Sequence, residues 1–136
     1  MQKLLLFTLM HEMGHILLKK WEYPFVENEE LVDEFATVVL MMFNQNQIAE
    51  AQAEFFATVP PEQELAKKTD SDDHHPLSAQ RARNIRRILK SPDTVKKWQP
   101  LLAPHMQTTF LKLLSTQSGY WIDRTLITKE LAERKS

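Results

Sequence analysis

The chain of 136 residues contains no cysteine. Disulfides and thiolate metal ligands are excluded, so any metal site must be built from nitrogen and oxygen, and the redox compartment stays open. Glycine is almost missing as well, with only two residues, Gly14 and Gly119. Strand-like alternation is also scarce, and the long runs of helix-favouring residues specify an all-α domain. No apolar run is long enough to span a bilayer. Net charge is nearly absent, at −1, which argues against general affinity for nucleic acid or anionic membrane surfaces. The one basic cluster, Arg81, Arg83, Arg86 and Arg87, spreads over more than one helix face and reads as solvated surface rather than a phosphate site. What is abundant is apolar content, 43%. At this length that suffices for one compact domain and not two, so residues 1–136 are taken as a single unit.

A first helix is expected over residues 2–20. Its start, with Lys3 and a short apolar run, has the outline of a signal peptide, yet it leads directly into the motif described next, so a buried helix is the better reading. Pro24, in Trp21-Glu22-Tyr23-Pro24, should end that helix and let the chain turn back. A second helix begins near Asn28, a good N-cap, and continues through the almost unbroken apolar stretch 35–43, which marks it as the central buried element. A third is expected over 48–58. Prolines and the polar run ahead of His74-His75 make 60–76 the most loop-like part. Helices at 77–90, 93–102 and 104–116 follow, and then an amphipathic one at 120–134 whose Trp121, Ile122, Leu126 and Leu131 would face the core or a partner. There is no internal repeat.

Residues His11-Glu12-Met13-Gly14-His15 form an HExxH string, the signature of zinc peptidases. On a helix, positions i and i+4 lie one above the other, so His11 and His15 can aim two imidazole nitrogens at one metal ion with Glu12 beside them. A hydrolytic zinc normally takes three protein ligands and a water. Glu29 is the candidate third ligand, because Glu29 and Asp33 again stand at i and i+4 on one face of the second helix. Asp33 can then accept the second ring N–H of a ligating histidine and fix its tautomer. Asn28, beside Glu29, is grouped with Asp33 among the supporting residues. Gly14 would permit close approach of a neighbouring backbone or of the metal.

Further along, His75-Pro76-Leu77-Ser78-Ala79-Gln80-Arg81 and the segment from Trp98 to Pro104 complete a pattern. With the HExGH string, Pro24, Glu29 to Asp33 and Asp33-Glu34-Phe35-Ala36-Thr37, it resembles a bacterial metallopeptidase-like family that carries a domain-of-unknown-function label. The likeness covers roughly residues 8–106 in the same order. More distantly, Asn28-Glu29-x-x-x-Asp33 is similar to the gluzincin motif, and His75-Pro76 followed by Arg81 to that of HtpX and CAAX-prenyl-protease enzymes. The resemblance implies a compact helical, zincin-like domain with Glu29 as a zinc ligand and Asp33 supporting a histidine. Gluzincins place a β-sheet before the motif helix, and its edge strand pairs with the substrate. Here that sheet is expected to be absent or truncated, with the domain N-terminally incomplete.

The expected activity is zinc-dependent hydrolysis of a peptide or protein substrate, with His11, His15 and Glu29 holding Zn2+ and Glu12 as general base. His75 is the candidate catalytic donor to the tetrahedral oxyanion. Arg81 either pairs with a site carboxylate or, the preferred reading, forms a salt bridge to Asp72 or Asp73. Those two aspartates with His74 and His75 could form an adventitious second metal site, and His105 reads as structural. The alternative from another class is a non-catalytic, zinc-stabilised helical interaction domain. Substrate, compartment and oligomeric state are not set by the pattern.

Overall fold

The computed structural model describes residues 2–25, 27–68 and 75–115, with side chains after His105, and that of Ala103, left aside. Six helices make up the described residues: α1 (Gln2–Lys20), α2 (Glu29–Met42), α3 (Asn46–Ala57), α4 (Pro61–Lys68), α5 (Ser78–Leu89) and α6 (Pro92–Ser115). There is no strand among them, and no helix is long and apolar enough to cross a membrane.

The centre is α2. It starts where expected, because the Asn28 side chain accepts a hydrogen bond from the Leu31 N–H at 3.1 Å and Glu29 and Glu30 complement the helix dipole. Its residues Val32, Phe35, Ala36, Val38, Val39, Leu40 and Met42 are buried, and α1, α3, α5 and α6 all pack on it. One cluster joins Leu18 of α1, the Val32/Phe35/Val39 side of α2 and Trp98 of α6. The Phe35 ring meets Trp21 edge-on at 6.2 Å and Trp98 at 6.0 Å, and Tyr23 stacks on Trp98 at 5.5 Å. A second cluster, with Phe7, Ala36, Ala53 and Ile85, ties α1, α3 and α5 to the other side of α2.

Four details differ from expectation. The α1 helix is buried on one stripe only, Phe7, His11, Gly14 and Leu18, while Leu5, Leu9 and Ile16 are exposed. Gly14 faces side chains of α2, neither a backbone nor the metal position: a Cβ there would stand 2.9 Å from Phe35 Cδ1 and 3.0 Å from Val32 Cγ1. Part of the presumed 60–76 loop is helix α4, for which Pro61 serves as a preset first residue and Glu62, Glu64, Lys67 and Lys68 sit at the ends the dipole favours. Finally, 93–102 and 104–116 are not separate. They belong to α6, which runs through Pro100 and Pro104. Each proline removes one backbone hydrogen bond, and the buried Val95, Trp98 and Leu102 anchor the helix. The expected helix at 120–134, with Trp121, lies outside the described residues.

Candidate metal centre

The 7, 11, 14, 18 spacing that buries one stripe of α1 also turns His11 into the protein, where only 3% of its side chain is exposed. The turn after α1 reverses the chain so that the first two turns of α2 lie against it. His11 Nδ1 donates to Asp33 Oδ1 at 2.8 Å. Asp33, 2% exposed, also receives Arg81 of α5 through two parallel bonds, Nε to Oδ2 at 2.8 Å and a second guanidinium nitrogen to Oδ1 at 2.9 Å. The Arg81 guanidinium in turn lies 4.3 Å over the Phe56 ring of α3. Burial alone pushes the Asp33 carboxyl up, but the hydrogen bonds of His11 and Arg81, with their charges, outweigh it and hold the pKa below its ordinary value. An ionised Asp33 can only accept, so the proton of the His11–Asp33 contact resides on Nδ1.

That assignment decides what happens on the other side of the ring. His11 Nε2 lies 2.9 Å from Glu29 Oε2. With a proton already on Nδ1, His11 Nε2 meets this carboxylate oxygen favourably only where a proton or a cation lies between them. Two more imidazole nitrogens approach the same oxygen: His75 Nε2 at 3.2 Å and His15 Nε2 at 3.3 Å. His11, Glu29 and His75 each offer a ligand atom within 4.8 Å of the others. Nitrogen and carboxylate oxygen on one point are the donor set that zinc takes, so these residues fit a divalent metal. Exposure rises across the site, from 3% at His11 to 26% at His15 and 34% at His75, so it is closed toward Asp33 and open toward solvent. On the open side His15, Ile16, Lys19, Glu27 and Glu29 line a cavity of about 380 Å3.

The family model described as "Putative metallopeptidase" matches residues 1–99. The chain belongs to this metallopeptidase family. No curated protein and no solved structure matches it. The stretch matched contains the whole site, from His11 to Arg81.

In this family member the structure brings His11, His15, Glu29, Asp33, His75 and Arg81 together, and Glu12 is exposed on the same helix. Arg81 pairs with Asp33, the site carboxylate, rather than standing as the surface bridge preferred from sequence. The fixed fork of the guanidinium matches a buried carboxylate far better than a solvated loop acid. Asn28 spends its side chain on the α2 cap. His105 stacks on Trp21 at 4.7 Å and 12°. Arg83, Arg86 and Arg87 are exposed. Asp72, Asp73 and His74, and with them the second metal site, lie outside the described residues.

Sequence reasoning missed three supports. Lys68 Nζ donates to the His75 carbonyl at 2.7 Å, and the Ser78 N–H donates to Glu64 Oε1 at 2.8 Å, so α4 holds the backbone on both sides of the His75 turn. Gln80 donates its side-chain amide to Glu30. Nothing at sequence level links Lys68 or Glu64 to His75, whereas Gln80 already stands in the His-to-Arg pattern.

Proposed function

We propose that this chain is a zinc-dependent peptidase that hydrolyses peptide bonds at the His11/His15/Glu29 centre. The observation that carries the proposal is the convergence of His11 Nε2, His75 Nε2 and His15 Nε2 on Glu29 Oε2 at 2.9, 3.2 and 3.3 Å, with the other ring nitrogen of His11 held by Asp33. Zinc, when bound, supplies Lewis acidity that polarises the scissile carbonyl and brings the pKa of water to about 7.

The chain's own groups account for the rest. Glu12 takes a proton from the attacking water onto its carboxylate as the water oxygen bonds to the carbonyl carbon, and then delivers it to the amine nitrogen as the C–N bond breaks. Asp33 and Arg81 hold the His11 ring in one tautomer and one orientation. His75 offers an N–H toward the oxyanion that forms on the carbonyl. The open cavity beside His15 and Glu29 admits the peptide.

Elemental analysis of the dialysed protein should find about one zinc per chain, and far less in Glu29→Ala. Glu12→Gln should keep the metal and lose hydrolysis by ~10²–10⁴-fold, the usual worth of a general base. A metal-loaded protein whose activity and stability ignore that substitution would instead be a zinc-stabilised interaction domain.

A further inference from the structure

The two most exposed histidines at the centre stand at nearly the same distance from Glu29 Oε2: His15 Nε2 at 3.3 Å and His75 Nε2 at 3.2 Å. His11, Glu29 and His75 offer ligand atoms within 4.8 Å of one another, a group that does not take in His15, and the His75 ring lies 5.2 Å from that of His11. Its backbone is held for that task. Lys68 binds its carbonyl, Glu64 binds the Ser78 N–H, and Arg81 fastens the following turn to Asp33. Resting on the metal-centre reading above, we infer that His75 is itself a metal ligand in the resting protein, giving His11, His15, Glu29 and His75 as four protein donors.

Four donors fill a tetrahedral zinc site, whereas a hydrolytic one keeps a position for water. With four donors the resting centre would be closed, and one donor would have to give way to a substrate. His75 is the donor able to yield. His11 and His15 are in the middle of α1 and Glu29 is in the first turn of α2, while His75 precedes α5 on non-helical chain and is 34% exposed. Once displaced, Nε2 would have to take up a proton from the attacking water or from solvent before it could donate to the oxyanion formed on the carbonyl.

The test is proton NMR of the full chain loaded with cobalt(II). Each ligating imidazole contributes one exchangeable, strongly shifted ring N–H signal. The inference expects three such signals, from His11, His15 and His75, falling to two in His75→Ala, with cobalt and zinc affinity weakened by at least about 10-fold. Two signals in the wild type, with unchanged affinity in the variant, would overturn the inference and leave the proposed activity standing. A wild-type chain that takes up no cobalt or zinc would overturn both. Should His75→Ala fail to fold, the wild-type signal count still decides.

Discussion

A methyl group at Gly14 would press into two side chains that cannot yield, because Phe35 and Val32 are both fully buried. Gly14→Ala gains about 1 kcal/mol in helix propensity but overpacks the α1–α2 contact by about 1–3 kcal/mol. The expected outcome is a small net loss in denaturant midpoint together with weaker zinc binding, since any separation of the two helices draws His11 and His15 away from Glu29. Asp33 is the other residue with a measurable signature. Its carboxyl titrates below its ordinary 3.8 when folded, so its contribution to stability is complete above that value and is lost as pH falls through the lower folded one. Urea unfolding of the metal-free protein from about pH 6 to about pH 3 should therefore show a steeper decline in the wild type than in Asp33→Asn.

Among the helices, α6 is held to the rest chiefly by Trp98, 1% exposed between Tyr23 and Phe35. Trp98→Ala should cost about 3–5 kcal/mol in chemical denaturation, and because Phe35 also backs Gly14, zinc affinity should fall with it. The first three helices and α5 are legible from sequence to within a few residues, since caps, apolar stripes and prolines there agree with the packing. The α4 and α6 helices are not, because local rules read proline as a break, whereas Pro61 opens one helix and tertiary contacts at Val95, Trp98 and Leu102 carry the other through Pro100 and Pro104. The site divides the same way. Two i, i+4 pairs disclose His11, His15, Glu29 and Asp33, but the choice between Arg81's possible partners is a matter of three-dimensional distance, and the Lys68 and Glu64 ties leave no trace in the pattern.

Over the whole molecule, the centre gathers α1, α2 and the chain entering α5, so a metal bound there would be linked to folding. Free zinc at about 100 times its dissociation constant should raise unfolding stability by ~2.7 kcal/mol, and chelation should reverse the gain. Differential scanning calorimetry with and without chelator checks this, with Glu29→Ala expected to show a smaller difference between the two conditions than the wild type. Under the proposed mechanism the thermodynamic gain and hydrolysis draw on different residues, so Glu12→Gln should keep the first while losing the second.

Phe56, Arg81, Asp33 and His11 form a chain of contacts through α3, α5, α2 and α1. Its charged pair is not easily broken from either side: Arg81→Ala leaves a buried carboxylate without its cation, a loss of about 3–5 kcal/mol, and Asp33→Ala leaves a part-buried guanidinium without its carboxylate. In a randomised library selected for retained metal binding, positions 33 and 81 should consequently drift as a pair or not at all, while exposed Arg83, Arg86 and Arg87 vary freely around them. The heredity of the site is then that of a coupled unit, in which a permitted first step toward any other chemistry has to be a double one.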